Sequence, residues 1–281
     1  MVIFINKQYL INKLDEFIKQ HLLAEYESKT IKDYRQAINK FIDYVNDEFV
    51  LNKEITIAYK QYLKTKYSIA TINKYIIILN KFLKYIGQEE CVLKKLKVQQ
   101  KTSIDDPIWE QEHKRMLRWS KKLNMEDMYL IIKIFAFAGI RIDELKYFTV
   151  ENIDNYIKVF NKSKERKIIL RDDLKRELKK YCKDKKINSG YIFKSPIKEN
   201  KMLNQSTIWR RLKKIAGYAK VNKSKIHPHA WRHLFAKEFI ASGGTLDELA
   251  DILGHSKLET TRIYTMTSNK EKKQKLEKMK F

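Results

Sequence analysis

The sequence predicts a mainly α-helical protein with one small antiparallel β-sheet, divided into two domains. Three observations predict this fold class. A sixteen-residue stretch with helical apolar spacing occurs twice before residue 90. The period lapses between residues 91 and 107, and near residue 155 it switches from helical to alternating.

The repeat runs from Thr30 to Val45 and recurs from Thr71 to Ile86, with seven of its sixteen positions identical. Ile31, Tyr34, Ile38, Phe41 and Val45, then Ile72, Tyr75, Leu79, Phe82 and Ile86, fall three or four residues apart and line one helix face. Each Thr is read as an N-cap whose hydroxyl takes a free amide of the first turn. Two copies are too few for a solenoid, so residues 1–90 read as a compact bundle of paired helices. Lys32, Arg35, Lys40, Lys74, Lys81 and Lys84 lie on these helices, either facing phosphates or simply solvated. From Cys91 to Pro107, polar runs such as Lys94-Lys95-Leu96-Lys97 carry no period, and 91–107 is read as a linker.

The second domain, 108–268, opens with helical patterning from Ile108 through Leu123 and continues with a buried helix from Met128 to Ile140. That oily stretch contains Lys133 and is too short to span a bilayer. Tyr156–Phe160 and Arg166–Leu170 read as the strands of a hairpin, separated by Asn161-Lys162-Ser163-Lys164-Glu165. Helices return after Asp172, around Thr207–Ala219, at His229–Ser242 and from Thr245, where Thr245 and Glu248 form a capping box. A tail, 269–281, follows Ser268 and Glu271, which have the spacing of a last helix cap. Its apolar side, Leu276, Met279 and Phe281, suits either its own core or a neighbouring copy.

The formal net charge is +25, from 59 basic and 34 acidic residues, which matches a polyanionic partner. Residues 1–106 carry 18 basic and 13 acidic groups, and residues 107–281 carry 41 and 21. Phosphate contact is therefore expected mainly from the second domain, and it should weaken steeply with salt. Cys91 and Cys182 fit no metal spacing and point to a reducing cytoplasm. The start, Met1 to Lys7, lacks the charged region and full apolar core of a secretion signal. No Gly-rich phosphate loop indicates nucleotide hydrolysis. His227, His229 and His233 superficially resemble a zinc cluster, but no cysteine or acid lies close in sequence and Pro228 fixes the local chain. Neither metal nor cofactor is expected.

Three short segments carry the chemistry. They are Gly139-Ile140-Arg141-Ile142-Asp143-Glu144-Leu145, His229-Ala230-Trp231-Arg232-His233, and Leu253-Gly254-His255 with Tyr264 nine residues beyond His255. A phosphodiester repels nucleophiles, so its non-bridging oxygens must be held by fixed positive donors. Arginine's planar fork does this while staying charged, and Arg141 and Arg232 are the candidates. Glu144, one turn after Arg141, either supports an arginine from behind or makes an ordinary i,i+3 pair. A tyrosine that attacks phosphorus stores the bond energy in a covalent intermediate, so strands can rejoin without ATP or metal. Histidine titrates near neutrality and can exchange the tyrosine's proton.

With a basic hairpin between the first two, the segments resemble in order the three boxes of the tyrosine recombinases, the phage-integrase and Xer-like family. The resemblance covers residues 108–268, and the helical first domain looks like the family's core-binding domain by pattern and position. It implies a mixed α/β catalytic domain in which Arg141 and Arg232 clamp the scissile phosphate. Tyr264 would be the nucleophile, forming a 3′-phosphotyrosine and releasing a 5′ hydroxyl. His229 would exchange a proton with Tyr264 or hydrogen-bond the phosphate, and His255 would donate to a non-bridging oxygen. Lys162, at the hairpin tip, would protonate the leaving oxygen. The family turn is Gly-Lys-Gly-like, followed by a Lys-Glu-Arg-like stretch. Here Asn161-Lys162-Ser163 runs into Lys164-Glu165-Arg166 with one residue fewer, which keeps Lys164 open as the acid.

The partners the resemblance implies are double-stranded DNA with paired inverted half-sites, copies of this chain forming a dimer to tetramer on DNA, and accessory proteins, with no membrane. The task is integration, excision, transposition or Xer-like dimer resolution. Little chain precedes residue 8 for an arm-binding domain, which favours a simple Xer-like system or a small mobile element. A type IB topoisomerase uses similar chemistry, and an architectural DNA-binding protein would keep the fold without catalysis. The Leu-Gly-His segment favours recombination, and the presence of every box residue favours an enzyme.

Overall fold

A computed structural model describes residues 4–97, 107–153, 156–161, 164–196, 200–255, 261, 276, 277 and 279. The chain divides into two units, Met1–Gln100 and Lys101–Phe281, each built on its own hydrophobic core.

The described helices of the first unit are α1 (Lys7–Leu23), α2 (Ser28–Tyr44), α3 (Lys53–Lys66) and α4 (Ile69–Tyr85). The two copies of the repeat become α2 and α4, which pack on each other. Their predicted apolar faces are buried, and Phe41 and Phe82, at the same repeat position, are both 0% exposed. Thr30 and Thr71 are not the N-caps. Both helices begin three residues earlier than those caps would place them, with Glu27 and Ser68 at the cap positions. Ser28-Lys29 and Ile69-Ala70 contain no breaker, and Ile31 and Ile72 donate their amides to Glu27 O and Ser68 O. Phe4–Asn6 (β1) pairs antiparallel with Glu48–Val50 (β2), a ladder too short to show as alternation.

The first part of the expected linker belongs to this unit. Cys91 and Leu93 are buried in its core. The segment is held to α4 by two amide side chains. Asn80 donates to Leu93 O and accepts from Leu93 N, both at 2.8 Å. Asn73 does the same for Leu96, at 2.9 and 2.8 Å. An extended strip pinned by side-chain amides has no helical period and so leaves no sign of its packing in the sequence.

In the second unit, α5 (Glu110–Lys122) and α6 (Glu126–Ala138) precede the hairpin of β3 (Tyr156–Asn161) and β4 (Lys164–Ile169). After it come α7 (Asp172–Asp184), α8 (Gln205–Tyr218), α9 (Pro228–Ala241) and α10 (Leu246–Leu253). Thr245 caps α10 through the predicted box with Glu248. The hairpin strands are longer than expected, with Asn161 paired to Lys164. Polar residues sustain the backbone ladder there without an apolar alternation. The core of this unit runs through α6, whose Ile131, Ile132, Ile134 and Phe135 are 0% exposed. Among the described residues no helix is long and apolar enough to cross a membrane.

Candidate active site

The site is assembled at the C-terminal ends of two helices. Helix α6 stops at Gly139, with φ +55°, and α10 stops at Gly254, with φ +66°. Both conformations are left-handed, and glycine adopts them without a Cβ penalty. Space demands glycine as well. A Cβ on Gly139 would lie 2.5 Å from the Phe235 ring, and one on Gly254 would lie 2.5 Å from Arg166 Cδ. Helix C-termini present carbonyls with no intrahelical donor, together with partial negative charge. Arg232 of α9 uses both ends. Its Nη1 donates to Gly139 O and its Nη2 to Leu253 O, each at 2.6 Å. These bonds offset the cost of desolvating a guanidinium that is 0% exposed.

Helix α9 starts with His227 at the cap and Pro228 in the first turn, where a missing amide proton costs nothing. Trp231 is buried beside Arg232 and donates its indole N–H to His113 Nδ1 at 3.2 Å.

Arg232 also fixes His255. Its Nη2 lies 3.0 Å from His255 Nε2. Arginine only donates, so Nε2 accepts and the ring proton sits on Nδ1. That proton is then given to Thr261 Oγ1, 2.9 Å away and fully buried. Burial, then the charges of Arg232, Arg141 and Arg166, lower the His255 pKa to about 4. The ring is neutral at pH 7, with Nε2 accepting rather than donating.

A second cluster lies behind Arg141. Glu144, with a side chain only 2% exposed, accepts the Arg141 backbone N–H at 2.7 Å and Arg141 Nη1 at 3.2 Å. It also binds Arg166 of β4, through Nη2 at 2.5 Å and Nε at 3.3 Å. Arg166 Nη1 donates onward to Ile252 O near the end of α10. Burial pushes the Glu144 carboxyl up, but the hydrogen bond and charge of Arg166, followed by those of Arg141, outweigh it and the net pKa is lowered.

Arg141, Glu144, Arg232 and His255 are thus joined through direct bonds and the ends of α6 and α10. His229, three residues before Arg232 on α9, keeps an exposed edge. Burial first, then the charges of Arg232, His227 and Arg141, lower its pKa, with Asp143 opposing. Lys162 and Tyr264 lie outside the described residues, and of Lys164 only the backbone in β4 is described. Arg166 and Thr261 received no role from the sequence. Their signals were an arginine on the same strand face as buried Ile168, and a threonine three residues before Tyr264. Among the described residues no cluster of His, Cys, Asp or Glu is arranged to hold a metal. The groove of about 690 Å³ in this unit, lined by Leu117, Phe137, Leu234, Phe235 and Phe239 among others, contains none of these site residues.

Residues 107–271 match the model of the phage integrase family. The chain belongs to that family. Within the family, the tyrosine recombinase XerA of Pyrococcus horikoshii is 30% identical over 186 residues, 64% of this chain and 63% of its own. The tyrosine recombinase XerD of Pseudomonas aeruginosa is 32% identical over 153 residues, 51% of this chain and 50% of its own. The matches thus span less than two thirds of these curated relatives. Among solved structures, XerH bound to its difH substrate before cleavage covers 95% of this integrase-family chain and 84% of its own, with TM-score 0.70 and 19% identity. A λ integrase dimer bound to a COC′ core site covers 94% of this chain and 77% of its own, with TM-score 0.75 and 14% identity. At such identities the likeness is one of fold.

Proposed function

We propose that this chain is a site-specific DNA recombinase that cuts and rejoins strands through a 3′-phosphotyrosine. The observation that carries the reading is the Arg232 guanidinium, which bonds the Gly139 carbonyl just past α6 and the Leu253 carbonyl that ends α10, and touches His255. One buried cation thereby ties together three segments far apart in sequence, beside a second arginine whose side chain is 27% exposed.

In this reading Arg141 and Arg232 hold the non-bridging oxygens and stabilise the charge that builds on them. The Tyr264 hydroxyl attacks phosphorus, and the bond to the 5′ oxygen breaks. His229, whose lowered pKa keeps it neutral at pH 7, accepts the tyrosine proton or hydrogen-bonds the phosphate. A hairpin lysine, Lys162 or the alternative Lys164, protonates the leaving oxygen. His255 accepts from Arg232 through Nε2 and so orients that guanidinium; donation from His255 to a non-bridging oxygen would first require Nε2 to take up a proton. The reverse attack by a 5′ hydroxyl reseals the strand, so no nucleotide or metal is needed.

The substrate is double-stranded DNA with paired inverted half-sites, met in the cytoplasm and on the nucleoid. The first unit acts as the core-binding domain and the second as the catalytic domain. Protomers pair and then form a tetramer, with the 269–281 tail exchanged between them; Leu276 and Met279 of that tail are exposed. The task is mobile-element integration and excision or Xer-like resolution. The test begins by mapping the genomic DNA the chain retains and building it into a nicked suicide duplex. A covalent protein–DNA band that vanishes in Tyr264→Phe supports the enzyme. Retained binding with no such band in the unmodified chain would sink it.

A further inference from the structure

We propose that Arg166 is a positioning residue of the cleavage site: by occupying Glu144, it keeps the Arg141 guanidinium available to a phosphate. The inference rests on the reading of Arg141 as a phosphate-holding arginine. Glu144 is one carboxylate between two guanidiniums, and a carboxylate takes one guanidinium in a parallel, two-bond embrace. Arg166 has that place, through Nη2 at 2.5 Å and Nε at 3.3 Å. Arg141 is left with a single side-chain contact at 3.2 Å. Exposure follows the same division, 10% for the Arg166 side chain against 27% for Arg141.

Arg166 is held from its other side as well. Its Nη1 donates to Ile252 O, and its Cδ occupies the space that a Cβ on Gly254 would need. Its reach therefore joins β4 to both the Arg141 segment and the end of α10. Without that head group, Glu144 would be a buried carboxylate with Arg141 as its adjacent cation. The stable outcome is a full Arg141–Glu144 pair, which turns donors of Arg141 away from an incoming phosphate. Loss of Arg166 should thus impair a residue it does not touch.

The test is single-turnover cleavage of the nicked suicide duplex, with duplex affinity measured separately. Arg166→Met keeps most of the side-chain stem and removes the charged fork. It should slow cleavage on the order of 10²-fold, as a misplaced catalytic group does, with affinity changed only a few-fold. Adding Glu144→Gln removes the charge that captures Arg141, so the double variant should cleave at least about ten-fold faster than Arg166→Met alone, a coupling read from the double-mutant cycle. If Arg166 were only a staple between β4 and α10, the second change would bring no recovery. Should Arg166→Met not fold, Arg166→Lys carries the test. Its point charge leaves one carboxylate oxygen to Arg141, so an intermediate rate is expected, again raised by Glu144→Gln. An Arg166→Met variant that cleaves at the unmodified rate, or no recovery in either double variant, overturns the proposal while the recombinase reading stands. Absence of covalent product from the unmodified chain overturns both.

Discussion

Gly254→Ala separates two costs that the site imposes on one residue. The first is conformational: at φ +66° an alanine pays about 1–2 kcal/mol for its left-handed backbone. The second is steric. The new Cβ would lie 2.5 Å from Arg166 Cδ, whereas carbon atoms rest about 3.5–4.0 Å apart. Cδ must therefore retreat by about 1 Å. Its guanidinium is bound to Glu144 and to Ile252 O, so the retreat breaks a charged hydrogen bond worth about 1.5–3 kcal/mol. The expected loss is about 2.5–5 kcal/mol in all. Gly87→Ala is the control, because Gly87 has φ +75° and nothing lies within 4 Å of the place its new Cβ would take. It should lose only the conformational part, about 1–2 kcal/mol. Trp109, Trp119, Trp209 and Trp231 are the chain's four tryptophans, and all lie in the second unit. Urea unfolding followed by tryptophan fluorescence therefore reports Gly254→Ala, and far-UV circular dichroism reports Gly87→Ala as well. A Gly254→Ala loss no greater than that of Gly87→Ala would show that Arg166 is not pinned, and the reasoning about its packing would fall.

Arg232→Lys keeps the charge but cannot span the carbonyls of Gly139 and Leu253. Cleavage should fall about 10²–10³-fold, as on removal of a transition-state donor, while duplex affinity stays within about ten-fold; an unchanged cleavage rate would refute its role. Thr261→Val removes the acceptor of the His255 Nδ1 proton, so cleavage should fall and Thr261→Ser should restore it; equal rates for Val and Ser would refute this. Acid should weaken the second unit. His113, His233 and His255 are each lowered to about 4, burial being the largest cause. Between their unfolded values, about 6.5, and about 4 the unfolded chain binds more protons, so stability falls as pH drops through that window. Glu144 extends the loss at lower pH, because its folded pKa is depressed and its contribution disappears on protonation. The urea midpoint of the fluorescence transition should be lower at pH 5 than at pH 7.5, and an unchanged midpoint would contradict the burial of these rings.

What the sequence disclosed depended on the kind of physical signal. The repeat was legible because Phe41 and Phe82 bury the same face of α2 and α4, and burial repeats with the helix. The three boxes were legible because arginine, histidine and glycine at fixed spacing have few other reasons to coincide. Residues 91–97 were not, since Asn73 and Asn80 hold them by side-chain amides that leave no periodic trace. Nor was Arg166: a strand arginine looks solvated until Glu144 and Ile252 O are seen to meet it across 22 and 86 residues of chain. Glycine was informative at the boxes for a reason the sequence does not state. At Gly139 the obstacle to a side chain is Phe235, and at Gly254 it is Arg166 itself.

The charge balance of the site follows from which partners neutralise which arginines. Arg141 and Arg166 share Glu144, so two guanidiniums stand against one carboxylate. The bonds of Arg232 include those to two backbone carbonyls and to an imidazole that is neutral at pH 7. Carbonyl dipoles stabilise a buried cation without cancelling its formal charge, whereas a second carboxylate at that position would cancel it. Among the bonds described, three guanidiniums meet one carboxylate. In the proposed reaction that excess of guanidinium over carboxylate would hold the phosphodiester, and hold it more tightly as the attacking phenolate adds a second negative charge. Helix ends are thus the means by which Arg232 is buried, oriented and kept charged at once.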